Sequence, residues 1–357
     1  MKNFFLKPFR WPVIFSAATV LFTAFVLLDT FVIPRAGTPI TTNAYTGFLT
    51  SSTAETSAST QAAAATSASA AQTQTVSEST AATAETSYVS TVTTTSAVSS
   101  AITDTSAAES SAAEPVTTAT SYKDSNISIS IKTIRENNTN IYVADIQVSS
   151  VQYLKTAFAK NTYGRNIKET TSAMAEDNNA IFAINGDYYG FRDDGYVLRN
   201  GILYRDTAGD DEGLAIDATG SFSIIDESST GAQSLVDSGI WQVLTFGPAL
   251  ISNGQIAVSA DSEVEQAMAS NPRTAVGMIT PLHYIFVVSD GRTDESTGLS
   301  LLQLAQVLKT EGCTVAYNLD GGGSATMWFN GQLVNKPTTN GNNISERSIS
   351  DIVYIGY

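Results

Sequence analysis

The chain of 357 residues contains one cysteine and one histidine. A single thiol excludes an internal disulfide framework and a thiolate zinc centre. A single imidazole, His283, excludes a histidine-cluster metalloenzyme and leaves any Ser-His-Asp triad one candidate base. Cations are scarce as well: 19 Lys and Arg against 34 Asp and Glu give a net charge of −15. Such a chain is not a nucleic-acid binder, because neutralising phosphates takes Lys and Arg. The lone cysteine suits an oxidising exterior, where few free thiols are kept. Charged residues make up only 15% and hydrophobic residues 43%, but these averages blend three unlike segments.

Residues 1–40 read as a cytoplasmic tip and transmembrane signal anchor. Lys2, Lys7 and Arg10 precede an apolar run from Val13 to Ile33, broken by Asp29 and closed by Pro34-Arg35. A run of about 20 residues spans a hydrocarbon core. A cleaved signal peptide is the rival, yet this run is longer than a usual signal core and no small-x-small site stands directly behind it. Three basic residues before the run and one after it place the C-terminal part outside a cell membrane crossed once. Residues 41–121 are almost entirely Ser, Thr and Ala and lack the apolar surface needed to offset ordering entropy. They read as a disordered stalk of roughly 50 Å that holds the following domain off the membrane. Residues 1–40 carry four basic and one acidic side chain, and 41–121 carry six acidic and no basic ones. The remainder, −12, falls on the folded domain 122–357.

Short strands dominate that domain. Ile127, Ile129 and Ile131 alternate with polar residues, and Ile141–Val143 and Ile146–Val148 follow an Asn-rich turn, which predicts a hairpin. Asn200-Gly201 predicts a second hairpin within Val197–Tyr204. Further strands are expected at Ala180–Ile184, Leu214–Asp217, Phe222–Ile225, Trp241–Phe246, Thr274–Ile279, Tyr284–Ser289, Val315–Leu319, Thr326–Phe329 and Ile352–Ile355. Leu301, Leu304, Ala305 and Leu308 share one face of a helix between Ser300 and Gly312, and a weaker helix covers about 168–177. Many strands with a few helices make an α+β domain with a mixed, strand-rich sheet.

Polar clusters sit where predicted strands end, a common place for sites. They are Asn185-Gly186-Asp187, Asn271-Pro272-Arg273, Ser289-Asp290-Gly291-Arg292 and Asn318-Leu319-Asp320-Gly321-Gly322-Gly323-Ser324. Each alone reads equally well as an ordinary strand exit or salt-bridged turn. Three consecutive glycines, however, are more than a plain turn needs, and they suit an anion-binding nest of backbone N–H groups. No G-x-G-x-x-G or Walker lysine accompanies them. Taken together, three aspartates, two arginines and a glycine turn predict one site. The carboxylates would serve as acid and base for breaking a glycosidic bond, and the arginines would hold an anion.

At these residues the sequence resembles the phosphodiester glycosidase family, which includes N-acetylglucosamine-1-phosphodiester α-N-acetylglucosaminidase and bacterial exopolysaccharide-associated proteins. The resemblance covers most of 180–357. It rests on the clusters above together with Phe246-Gly247-Pro248-Ala249-Leu250, the run Ser296–Ala305, the extension to Thr326-Met327, and Glu346-Arg347. Ala325 departs from the second serine that the family often has after its glycines. The resemblance implies removal of a sugar from a sugar-1-phosphodiester by cleavage at the anomeric carbon, with a phosphorylated glycan or glycopolymer as substrate. On that reading Asp320, Asp290 and Asp187 take acid/base or sugar-binding roles. Arg273, Arg292 and the N–H groups of Gly321, Gly322 and Gly323 hold the phosphate, and Asn185 and Ser324 bind sugar hydroxyls or orient water. The same aspartates offer hard oxygen ligands, which leaves a divalent cation, calcium or magnesium, open. A non-catalytic envelope module that binds an anionic glycopolymer through the same residues is the alternative. A serine hydrolase built on Ser324 and His283 is a more distant one.

Overall fold

Alternation decides the first hairpin. Strands Ile127–Glu136 and Thr139–Val148 pair antiparallel with Ile129 opposite Ile146, so the two short runs read from the sequence are one continuous strand. Asn137 and Asn138 turn it at φ 50° and 51°, a region that asparagine tolerates better than most residues with a Cβ. A computed structural model of the chain describes residues 10–41, 114–210, 212–262 and 270–357. Most of the expected stalk, 42–113, lies outside the described residues. Its last part already belongs to the sheet, as strands Val116–Thr117 and Ser121–Lys123.

Among the described residues the largest sheet has nine antiparallel strands. Their order is Gln255–Ile256, Ala249–Ser252, Val315–Leu319, Arg273–Thr280, His283–Ser289, Thr139–Val148, Ile127–Glu136, Ser121–Lys123, Val116–Thr117. One face packs on two smaller sheets through Val276, Tyr284, Phe286, Tyr317 and Leu319. The other buries Ala275, Ile285, Val287 and Ala316 under the helix Leu301–Thr310. Burial on both faces explains the unbroken apolar run in His283–Ser289. That helix starts at a capping box between Ser300 and Gln303 and stops before Gly312 at φ 91°. It packs so closely that a Cβ on Gly277 would stand 2.5 Å from Cys313 Sγ. Burial, assisted by Glu311, pushes the Cys313 thiol up to about 12.

The second sheet runs Gln332–Leu333, Met327–Phe329, Phe182–Asn185, Asp351–Ile355, Leu154–Phe158, with the helix Thr171–Asp177 over its outer face. The third runs Ile202–Arg205, Val197–Arg199, Ile240–Leu244, Glu212–Asp217, Phe222–Asp226 and carries the short helix Ala232–Asp237, for which no periodicity is visible in the sequence. The strand-rich α+β class read from the sequence is the observed one.

The helix Arg10–Phe31 has 22 residues, about 33 Å of rise, and residues 11–31 are long and apolar enough to cross a membrane. Signal sequences share that length and composition. After it, Arg35–Ala36 pairs antiparallel with Gly164–Arg165, and Ile40 and Thr41 donate their N–H groups to the Leu203 carbonyl. The described residues all belong to one compact unit.

Candidate active site

Antiparallel register gathers the strand exits at one edge. Thr274 pairs with both Val288 and Leu319, so the strands leading to Asp290 and Asp320 end together beside Arg273. Phe182–Asn185 joins them from the second sheet, with the Asp320 N–H reaching the Gly186 carbonyl at 3.4 Å. His283 stands six residues from Ser289 along its strand, about 20 Å from this edge, with Nε2 3.0 Å from Asp145 Oδ1. It offers Ser324 no base.

Asn185 builds the turn. Fully buried, it donates from Nδ2 to the Asp320 carbonyl at 2.6 Å and accepts at Oδ1 from Thr274 Oγ1 at 2.7 Å and from the Thr326 N–H at 3.2 Å. Its amide thereby fixes the backbone on both sides of the glycines. The glycines serve approach more than anion binding. The Gly322 N–H is spent on the Pro272 carbonyl at 2.8 Å, and the Gly321 N–H serves the Asp320 carboxylate. A Cβ on Gly321 would meet the Pro272 carbonyl at 2.7 Å, and one on Gly322, already at φ 60°, would meet Arg292 Nη2 at 2.8 Å. A Cβ on Gly323 would meet Arg347 Nη2 at 2.7 Å. Three missing side chains let the chain pass close to Pro272 and let two guanidinium groups pack against the turn that follows Asp320.

Burial pushes the Asp320 carboxyl up to about 6, against the opposing pull of the Ser324 hydroxyl, Arg347, the Gly321 N–H and Arg192. Arg292 is lowered by burial and then by the neighbouring charge of Arg347, with Asp320 acting in the opposite direction. Arg292 sits at φ 60°, its Nε on Asn271 Oδ1 at 3.0 Å and its Nη1 on the Thr339 carbonyl. Arg192 lies over the Phe246 ring, 5.1 Å from the centroid. The charges of three arginines therefore act on one carboxyl of raised pKa. Of these only Arg292 was singled out from the sequence. Arg347 was visible there only as part of Glu346-Arg347, and Arg192 gave no signal. Glu346 holds the Arg347 loop by accepting from the N–H and hydroxyl of Ser172.

The other expected site residues flank this turn, each engaged by its own partners. Asp290 is buried, where it accepts from Tyr142 Oη at 3.0 Å and the Lys336 N–H at 2.8 Å, and burial raises its pKa. Asp187 is buried too, accepting from Arg199 Nη2 at 2.8 Å and the Thr245 N–H at 2.7 Å. Arg199 Nη2 also reaches Asp351 at 3.1 Å. Two carboxylates share one guanidinium, and burial followed by the charge of Asp187 raises the Asp351 carboxyl. Arg273 is buried with Nε on the Leu299 carbonyl at 3.0 Å. The three expected aspartates are engaged by different partners, and among the described residues no group of three or more His, Cys, Asp or Glu is placed to hold a metal ion.

A model of the phosphodiester glycosidase family matches residues 178–356, half of the chain and all of this site except the Ser172 anchor. The SPbeta prophage-derived uncharacterized protein YomE of Bacillus subtilis strain 168 is 27% identical over 206 residues, which is 55% of this chain and 31% of that protein. The mouse N-acetylglucosamine-1-phosphodiester alpha-N-acetylglucosaminidase is 36% identical over 107 residues, 28% of this chain and 20% of that enzyme. The chain thus spans a third or less of the length of these curated relatives. The catalytic domain of the zebrafish N-acetylglucosamine-1-phosphodiester alpha-N-acetylglucosaminidase shares the fold, with a TM-score of 0.52 and 22% identity over 65% of this chain and 83% of that chain. On the match over residues 178–356, this chain belongs to the phosphodiester glycosidase family.

Proposed function

We propose that the chain is a membrane-anchored glycosidase whose extracellular domain hydrolyses a sugar-1-phosphodiester at the anomeric carbon. Membership of the family supports glycosidase-type chemistry on a glycan. One observation carries the finer reading: Asp320, pushed up to about 6, feels the charges of Arg192, Arg292 and Arg347. Arg292 and Arg347 stand close enough to repel, an arrangement that favours an anion between them. Cleavage of the anomeric C–O bond expels a phosphomonoester, and the arginines match its developing charge, so leaving-group departure needs no strong general acid. Asp320 then acts as a carboxylate at the anomeric carbon, either activating water or attacking directly. A pKa near the working pH suits proton transfer.

The remaining residues take supporting roles in this account. Asn185 and Ser324 set the Asp320 turn, Gly321 admits the Pro272 carbonyl, and Gly322 and Gly323 admit the arginines. Asp187 and Asp290 brace the loops around it, and Arg273 ties its strand to Leu299. Tyr188, 38% exposed at φ 74° and stacked on Phe191 at 4.7 Å, offers a flat face for a sugar ring. By analogy with the curated relatives, the sugar is an α-linked N-acetylglucosamine on an envelope or exopolysaccharide phosphodiester. The helix Arg10–Phe31, with its basic leading side, supports the anchor and its orientation. The test is turnover of α-N-acetylglucosamine-1-phosphodiesters by the full chain and by Asp320→Ala. Free sugar from the wild type and none from the variant is expected. Equal release from both sinks the assignment, and retention of glycopolymer with no release by the wild type would make the domain a binding module instead.

A further inference from the structure

The outer end of the apolar helix is tied to the domain by more than the chain itself. Asn166, at φ 58°, donates from Nδ2 to the Thr30 carbonyl at 2.9 Å and the Ile33 carbonyl at 3.2 Å, so a domain side chain caps the helix carbonyls. The next residues fit a prepared surface. A Cβ on Gly37 would stand 2.7 Å from the Tyr163 ring, and one on Gly164 would stand 2.1 Å from the Arg35 carbonyl. Leu203 then closes on Thr41, donating its N–H to Thr41 Oγ1 at 3.0 Å. The domain is therefore held at the helix end.

At this junction lies a groove of about 410 Å³, lined by Val32, Pro34, Lys160, Thr162, Ile167 and Lys168, among others. Lys160 and Lys168 are exposed, and neither ammonium group is paired with a carboxylate among the described residues, although the Lys160 N–H donates to Glu169 Oε2 at 2.9 Å. Lys160 is held at φ 55° and Asn161 at φ 50°, a conformation that costs free energy and concentrates at sites of function. The walls are apolar on the helix side and cationic on the domain side, in a chain with a net charge of −15. We infer that this groove binds the phosphate of an anionic membrane lipid, Lys160 and Lys168 taking the phosphate and Val32 and Pro34 lying against the start of its apolar part. The inference rests on the reading of Arg10–Phe31 as a retained membrane span and is independent of the glycosidase chemistry.

The experiment uses the full chain in nanodiscs of phosphatidylglycerol or phosphatidylcholine, with hydrogen exchange followed across 160–168 and intact mass measured beforehand. Slower exchange in phosphatidylglycerol is expected. Lys160→Gln/Lys168→Gln should lose that difference, with lipid affinity falling about 30-fold at a typical contribution per surface lysine. Gly164→Val, which drives the Arg35 segment off the domain, should lose it as well. Equal protection in both lipids overturns the inference, as does equal protection by inorganic phosphate in detergent, which would make the groove a free-phosphate site. Recovery of a chain lacking residues 10–31 overturns it together with the membrane reading, whereas failure to turn over any sugar phosphodiester leaves it standing.

Discussion

Replacing Asp320 with Asn should stabilise the fold while abolishing the activity. Burial raises the Asp320 carboxyl from an ordinary 3.8 to about 6. Between those values the folded protein holds a proton that the unfolded chain has released, so stability falls as pH rises through that window. At about 1.4 kcal/mol per pH unit, the charged carboxyl lowers stability by roughly 3 kcal/mol above pH 6. Asn keeps the shape and carries no charge. Asp320→Asn should therefore match the wild type near pH 4 and exceed it by roughly 3 kcal/mol at pH 8, or roughly 6–12 °C in melting temperature for a domain of this size. The assay is thermal unfolding of both proteins from pH 4 to 8, paired with turnover. A variant less stable than wild type at pH 8, or an offset that does not change with pH, would refute the reasoning. Either would mean that the surrounding arginines outweigh burial and that Asp320 is stabilised by its charge.

The pH–rate profile follows from the same group. Because the carboxylate is the working form, kcat/KM should rise with pH through an apparent pKa near 6 in wild type, and a fall through that point would assign Asp320 as the acid. Arg199→Met leaves Asp187 and Asp351 buried without their shared cation, and urea unfolding should show a loss of about 3–5 kcal/mol. Restoring one neutral partner with Asp351→Asn should recover part of it. Gly323→Ala places a methyl group 2.5 Å from Thr339 Oγ1 and 2.7 Å from Arg347 Nη2 and should displace both side chains. KM should rise by about tenfold, the scale of one charged hydrogen bond, with melting little changed; a collapse of the fold would contradict the approach role given to the glycines.

Local patterns made the strand exits legible. Val315–Leu319 is bounded by Gly312 and by the glycine run, and alternation located the first hairpin. What escaped was the pairing of charges by long-range register. Asp187 meets Asp351 across 164 positions because Asn185 lies opposite Ile352 in the second sheet, and no periodicity announces that. The reading of Gly321–Gly323 as an anion nest also lacked a fact outside the sequence pattern, namely that the Pro272 carbonyl occupies one of their N–H groups. Arg347 sits on an irregular loop held by Glu346 and Ser172, where composition carries no signal of direction.

The central claim is that water attacks the sugar and the bond broken is anomeric carbon to oxygen. Hydrolysis of an α-N-acetylglucosamine-1-phosphodiester in heavy-oxygen water, read by mass spectrometry of both products, tests it directly. Label in the released sugar, with an unlabelled phosphomonoester, is the predicted result. Label in the phosphate would show phosphorus–oxygen cleavage and contradict the account.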